Sequence, residues 1–471
     1  MSKKIIYLLS LLMALSLVFV SCKKAGTNPM ENNKPPSLDE DNTEGADKDT
    51  GLFEDYEKIV NDKYILIKEP ATKSGEDYVR NPVVVSMGKG QIILFAEKRW
   101  KSPGAVNDVG IDGEHVVDVI YHYSKDGGKT WSEERYVNKD KNITTDFNKA
   151  HAAPVVFKKE SKIIIAATSG SGIARTYNTD KTQKIDYIVG TYDNNGGFAW
   201  TDWKQINNQM NNNKIINDQM KIDDSKKFNA IGTQAGRGVV DTDGNLYFSV
   251  ITSYQGTIND AYDAMSYTPL KGTLNNDEVT WEIFSQPQGI FTTVDGSTTS
   301  RHKEAKLITK DKFIVSPYGG SGGNKLALGQ VGNVNNEVEK LESGLNAFGY
   351  FLTDKWYGKE GYAITKNTDG SIVVTEGRSK KYIFASAKRN NGDMYYALTD
   401  EQINLQGQYF VLDDTFRDGS TQIGGSFSVD MLDDGTIIIA SEEGNNGNGD
   451  THYRVTVRRF SQKFLAEKTG N

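Results

Sequence analysis

From about residue 58 onward, runs of β-branched and aromatic residues alternate with clusters of Gly, Asn and Asp, and no long stretch carries a helical period. The pattern predicts an all-β fold. A recurring unit consists of an apolar run, an Asp/Gly or Lys/Gly turn and a second apolar run. It is seen from Pro82 to Phe95, Pro154 to Ala166, Val239 to Phe248, Ala305 to Val315, Ala363 to Val374 and Val429 to Ile439. Each predicted hairpin is followed by further strand, such as Asp118 to Tyr123 or Met394 to Leu398. Six units of roughly fifty to seventy residues, each four strands long, are what a six-bladed β-propeller requires. A β-sandwich needs fewer strands, and a β-helix needs a much shorter period.

The first residues change the picture of where this body resides. Met1-Ser2-Lys3-Lys4 precedes an apolar stretch from Ile5 to Val20 and then Ser21-Cys22, the layout of a secretory signal at residues 1–22. The apolar run is shorter than the ~20 residues a spanning helix needs. Phe19-Val20-Ser21-Cys22 resembles the lipobox of bacterial lipoproteins, which implies lipidation of Cys22, a membrane anchor and a place at the cell surface; an ordinary secretory signal is the other reading. Residues 23–57 are rich in Asn, Asp, Glu, Pro and Gly and read as a disordered acidic stalk, leaving 58–471 for the propeller. Cys22 is the one cysteine, so the expected fold holds no disulfide and stands on its core. A net charge of -7 argues against a nucleic-acid partner, whose phosphates call for a basic stripe. The five histidines form no metal-ligand spacing, and neither metal nor cofactor is expected.

Ser124-Lys125-Asp126-Gly127-Gly128-Lys129-Thr130-Trp131 matches the Asp box, S-x-D-x-G-x-T-W, and weaker copies stand at Asp193 to Trp200 and Asp277 to Trp281. The box serves the fold: Asp and Gly close a turn while Trp packs beneath the strands. In this the chain resembles bacterial exo-α-sialidases, and four local matches extend the resemblance to a site. Tyr78-Val79-Arg80-Asn81-Pro82 is similar to the family's F/Y-R-I-P motif, implying that Arg80 grips the carboxylate of sialic acid through its planar fork. Phe95-Ala96-Glu97-Lys98-Arg99 is similar to A-E-x-R, implying that Arg99 reaches the sugar's ring hydroxyls. Asp112, ahead of the Asp box, takes the place of the acid/base aspartate, with Asp108 in the same loop as the alternative. Glu304 takes the place of the glutamate that activates the nucleophile, and Glu442, or Glu443 beside it, that of the glutamate buttressing the first arginine.

Sialidases use a tyrosine nucleophile. A neutral phenol avoids the repulsion a carboxylate would meet from the carboxylate on the sugar's anomeric carbon. The resemblance is broken in three places. Where the second substrate arginine is expected the chain reads Ser316-Pro317-Tyr318-Gly319-Gly320, and the third has a candidate, Arg389, a few residues early. The nucleophile position reads Gly424-Gly425-Ser426-Phe427-Ser428, without tyrosine; Tyr362, ahead of the fifth hairpin, or Tyr318 are the substitutes. The resemblance thus implies hydrolysis of terminal sialic acid on glycans. A non-catalytic propeller that binds sialylated glycans, and an enzyme acting on another anionic sugar, are the alternatives.

Overall fold

The computed structural model describes residues 63–67, 78–100, 117–137, 150–170, 183–206, 228–254, 265–285, 288–289, 301–318, 325–343, 345–356, 364–366, 372–374, 379–388, 394–400, 402–412, 422–433, 435–447 and 450–470. They are almost wholly β, as the hydrophobic pattern predicts. Strand β1 (Lys63–Ile67) is followed by a first sheet of β2 (Tyr78–Gly88), β3 (Gln91–Arg99), β4 (Val117–Ser124) and β5 (Arg135–Tyr136), paired in that order. The second contains β6 (His151–Lys159), β7 (Lys162–Gly170), β8 (Gln183–Tyr192), β9 (Phe198–Trp200) and β10 (Lys204–Gln205). The third comprises β11 (Phe228–Gly232), then β12 (Gly236–Arg237) diverted to the edge of β6, β13 (Val239–Val240), β14 (Leu246–Tyr254), β15 (Met265–Asn275), β16 (Glu278–Ile283) and β17 (Gln288–Gly289).

The fourth sheet is β18 (Arg301–Leu307), β19 (Lys312–Tyr318), β20 (Lys325–Gln330) and β21 (Asn333–Ser343). The fifth starts with β22 (Leu345–Trp356), is interrupted by a separate hairpin of β23 (Ile364–Lys366) and β24 (Ile372–Val374), and resumes with β25 (Ser379–Lys388), β26 (Met394–Thr399) and β27 (Leu405–Leu412). The sixth is β28 (Gln422–Met431), β29 (Ile437–Gly447) and β30 (Asp450–Phe460), with β1 pairing antiparallel on β30 as its outermost strand. Helix α1 (Gln462–Thr469) follows, its N-terminus capped by Ser461 Oγ accepting from Phe464 N at 2.9 Å.

Two sequence expectations need correction. The expected fifth hairpin, Ala363 to Val374, forms only as the detached pair β23–β24; the sheet itself pairs β22 with β25 across that insertion, Gly349 opposite Ala385. A short apolar run, a turn and a second run look alike whether or not they belong to a larger sheet, so local pattern could not separate them. The third unit does not open at Val239 either: β11 holds the upper part of β14 and β13 the lower, with the chain crossing to β6 in between.

The reason the strands read as continuous apolar runs lies in the packing. Successive side chains on a strand point to opposite faces, and here both faces are covered. On β3, Ile93 and Phe95 join a cluster with Val156, Ile163 and Ile165 of the second sheet. Ile92, Leu94 and Ala96 face Leu432, Ile438 and Ala440 of the sixth. The same division recurs between the second and third sheets around Phe157, Phe248 and Trp281. It continues between third and fourth around Tyr247 and Phe313, fourth and fifth around Ile314 and Phe384, and fifth and sixth around Ile383, Phe427 and Ile437. Each sheet packs on the next, and the sixth packs on the first.

The first strand of a sheet leaves one row of backbone groups unpaired, a liability that needs covering. On β2, Val84 N donates to Ser428 Oγ at 3.0 Å and Ser86 N to Asp430 Oδ2 at 2.8 Å, both from β28. Arg237, carried to this edge by β12, pairs with Asp430 and donates to Val84 O at 3.3 Å. Lys158 Nζ donates to Ser86 O at 2.7 Å, and burial holds its amine below the ordinary lysine range despite nearby Asp430.

At the outer rim of the first sheet, Ser124 to Trp131 folds as a closed turn. Asp126 accepts from Thr130 N at 2.9 Å and Thr130 Oγ1 at 2.6 Å, and Ser124 Oγ takes Gly128 N at 2.8 Å. Gly127 and Gly128 adopt φ of 70° and 89°, which glycine enters without steric cost. Burial opposes ionisation of Asp126, but the bonds from Thr130 and Ser124 outweigh it and hold the carboxyl below its ordinary range. Trp131 Nε1 donates to Gly128 O at 3.0 Å, and the ring packs on the cluster between the first and sixth sheets.

The tightest approach between two sheets is at Gly349 of β22, where a methyl group would lie 2.6 Å from the carbonyl carbon and oxygen of Phe427 on β28. Backbone cannot swing aside as a side chain does. Gly349→Ala should therefore cost about 1–3 kcal/mol or more, the scale of overpacking, read as a lowered urea midpoint; an unchanged midpoint would show that the two sheets yield at this point.

Candidate active site

In each of the six larger sheets the ladder slips near the N-terminal end of the strand that opens its meander, β2, β6, β11, β18, β22 or β28. The irregularities lie between Arg80 and Val83, Ala152 and Val155, Phe228 and Ala230, His302 and Glu304, Leu345 and Ala347, and Gly424 and Phe427. A bulge bends its strand and re-aims the side chains beside it. At two of these bulges a residue takes the left-handed region, Asn81 at φ 53° and Ala153 at φ 51°.

Around the bulges of the first, second and sixth sheets stand two fully buried carboxylates. Glu442, on β29, takes Arg80 Nε at 3.3 Å on one oxygen and Arg80 Nη2 at 3.0 Å on the other. The same carboxylate accepts the backbone N–H of Asn81 and, at 3.2 Å, that of Ser426. Glu97, on β3, accepts Asn81 Nδ2 at 2.7 Å, the N–H of Ala153 and Arg99 Nε at 2.8 Å. Ser426 Oγ closes the network by donating to Asn81 Oδ1 at 2.5 Å. Two guanidinium groups balance two carboxylates, and the carboxylate oxygens are richly supplied with donors, the condition under which charges tolerate burial. The carboxylate bond to Ala153 also holds a non-glycine residue in a backbone conformation that costs roughly 1–2 kcal/mol.

The two arginines differ in exposure. Arg80 keeps 24% of its side chain exposed, whereas Arg99 keeps 1% and has Nε and Nη2 bound by Glu97. Arg99, expected at a sugar's hydroxyls, is thus buried and paired with Glu97. On the second sheet, His151 stacks on Trp203 with ring centroids 3.7 Å apart, and its Nε2 stands 3.2 Å from Asp186 Oδ2, which also accepts from Ser169 Oγ at 2.7 Å.

Of the residues singled out from the sequence, the structure brings together Arg80 and Glu442. Glu304 sits at the bulge of β18, its backbone opposite Ser316; its side chain lies outside the described residues. Glu443 pairs with Gly424 and Arg454 in the ladder, one position on from Glu442; its side chain lies outside the described residues. Tyr318 stands opposite Arg301 in the fourth sheet. Asp112, Asp108, Tyr362, Arg389 and Cys22 lie outside the described residues. The hairpin that Tyr362 precedes is the detached β23–β24, and the fifth sheet has its own bulge near Ala347.

Sequence reading missed Glu97, Asn81, Ser426 and the His151–Asp186 pair. A signal for the first was present: Glu97 and Arg99 are two apart on a strand and share a face. Another was the repetition of Arg80-Asn81-Pro82-Val83-Val84 in Ala152-Ala153-Pro154-Val155-Val156, which sets a proline beside each bulge, where its missing N–H does no harm. Nothing local announces Ser426.

Comparison with known proteins adds a family likeness and a fold. Residues 81–284 match the model of a BNR repeat-like domain. No curated protein sequence matches the chain significantly. A Trypanosoma rangeli sialidase in complex with sialic acid is similar over 84% of this chain and 58% of its own length, at 15% identity and a TM-score of 0.52. The covalent intermediate of that sialidase with 2,3-difluorosialic acid gives 14% identity and a TM-score of 0.55 over the same shares. The NanB sialidase of Streptococcus pneumoniae is more distant, with 11% identity and a TM-score of 0.46 over 84% of this chain and 70% of its own. The chain thus spans about 58% of the length of the trypanosomal enzyme, and at such identities the likeness is one of fold.

The buried pair offers a direct test of the site's energetics. Glu97→Gln removes the buried charge paired with Arg99 and the anionic acceptor of Asn81 and Ala153, and should cost about 3–5 kcal/mol. Lys98→Gln breaks the more exposed pair with Glu134, 2.7 Å apart, and should cost under about 1 kcal/mol. Equal losses in urea unfolding would show that Glu97 is not the anchor of this corner.

Proposed function

We propose that the six sheets are the blades of a six-bladed β-propeller and that the protein is an exo-α-sialidase, releasing terminal sialic acid from glycans at the end where the bulges gather. The observation that carries this reading is the partly exposed Arg80, held in a bidentate grip by the buried Glu442. A guanidinium oriented in this way is suited to a substrate carboxylate, since both the fork and its direction are set before binding. The cyclic packing of the sheets, the completion of the sixth by β1, and the fold likeness to sialidases support the same reading.

In this mechanism Asp112 protonates the leaving oxygen, Glu304 takes the proton of a tyrosine nucleophile, Tyr362 or Tyr318, and Arg389 joins Arg80 on the carboxylate. Glu97 and Arg99 serve the site from behind. The oxocarbenium-like transition state is stabilised by the fixed charges around it. One observation favours a second reading, a sialoglycan-binding propeller without catalysis. At the bulge of β28, where the resemblance calls for tyrosine, stands Ser426, engaged by Glu442 and Asn81. We also propose that Cys22 carries a lipid anchor that holds the protein at the cell surface.

A fluorogenic sialoside separates the two readings: turnover without added metal is expected, and binding without turnover between mildly acidic and neutral pH would leave the binder. Arg80→Lys should damage binding and turnover together, since one compact ammonium replaces a two-pronged donor. Asp112→Ala should slow natural glycosides roughly 10²–10⁴-fold and spare aryl glycosides with acidic leaving groups. Equal losses on both would shift the acid role to Asp108. Cys22→Ala should move the chain from membranes to the soluble fraction with activity per molecule unchanged, and full retention in membranes would end the anchor reading.

A further inference from the structure

We infer that Asn81 is the positioning residue that sets the direction of the Arg80 guanidinium, an inference that rests on the reading of Arg80 as the carboxylate grip. The resembling motif has an apolar residue at this place. Here three separate groups of Asn81 are engaged: its N–H by Glu442, its Nδ2 by Glu97 at 2.7 Å and its Oδ1 by Ser426 Oγ at 2.5 Å. One residue, through its side chain to Glu97 and its backbone N–H to Glu442, therefore ties together both buried carboxylates, and with them the first, second and sixth sheets, because Glu97 also takes Ala153 N and Glu442 also takes Ser426 N. The φ of 53° is a conformation that asparagine tolerates and a β-branched residue does not.

The consequence follows from the geometry. Glu442 can hold Arg80 on two prongs only while its two oxygens keep their places, and each is fixed by a backbone N–H from a different bulge, Asn81 on β2 for one and Ser426 on β28 for the other. The position of those N–H groups is in turn set by the amide of Asn81, clamped between Glu97 and Ser426. Removing that amide leaves every charge in place but frees the carboxylate to turn.

The test uses the full chain with ¹⁵N-labelled arginine. The Arg80 Nε–Hε resonance, identified by its loss in Arg80→Lys, reports the bond to Glu442 whether or not a ligand is present. Asn81→Gly keeps the backbone N–H and permits the φ while deleting both side-chain bonds. It should shift that resonance, speed its exchange with water, and weaken binding of free sialic acid on the order of 10-fold, the effect of about one hydrogen bond. KM should rise with kcat changed far less, because the carboxylate is gripped in the ground state as well as in the transition state. Ser426→Ala, which removes only the hydroxyl that orients the amide, should give a smaller change of the same sign, and it decides the matter if Asn81→Gly does not fold. A wild-type Arg80 resonance in the folded variants, or sialic acid affinity equal to wild type, overturns the inference. A wild-type protein that binds no sialic acid, while Asn81→Gly still moves the Arg80 resonance, overturns the carboxylate-grip reading and leaves the positioning role standing.

Discussion

Each of the six larger sheets has to cover two apolar faces, and that constraint organises what surrounds it. Strand β3 sends Ile93 and Phe95 toward the second sheet and Ile92 and Leu94 toward the sixth, so neither neighbour can be removed without exposing half of a strand that is buried from Ile92 to Glu97. The same holds for β29, whose Ile437 and Ile439 face the fifth sheet while Ile438 and Ala440 face the first. A sandwich of two sheets satisfies one face of each. Six sheets, each packed on the next with the last against the first, satisfy both. The arrangement leaves the unpaired edges of the first strands as the places where backbone groups need partners, and Ser428, Asp430 and Arg237 provide them for β2.

The candidate site is a consequence of how those strands end. A regular ladder would point successive side chains alternately into the two apolar interfaces. The bulges near the N-terminal ends break that alternation and bring Arg80, Asn81, Ala153 and Ser426 to one corner. The corner is polar yet buried, which is costly unless each charge is paired. Glu97 and Glu442 meet that need by accepting from arginine and from backbone N–H groups at once. Arg80 is held by a buried carboxylate while still partly exposed, whereas Arg99, almost wholly buried, pairs with Glu97.

What could be read from the sequence alone was whatever depends on neighbours close along the chain. The all-β class followed from the alternation of apolar runs and turn clusters, and five of the six expected hairpins lie within the sheets where the pattern put them, the third in altered form. The turn from Ser124 to Trp131 was legible for the same reason, since its bonds span four residues or fewer. The fifth hairpin was misplaced because β22 and β25 are separated by an insertion that carries a hairpin of its own, and choosing between two such pairings requires knowing which strand finds a second face to bury.

The site divides along the same line. Arg80 and Glu442 could be named from motifs, but their pairing joins residues 362 positions apart and depends on the sixth sheet packing against the first. The Asn81-Pro82 step marked the bulge but not the partner, and Ser426 carried no signal, because a serine between glycine and phenylalanine is an ordinary strand residue until two bulges set it 2.5 Å from Asn81. The sequence by itself determined the strands, their turns and the apolar surface each must hide, since these arise from short-range sterics and hydrogen bonding. The tertiary structure alone decided which buried carboxylate meets which guanidinium, because that choice is made by sheets brought together from opposite ends of the chain.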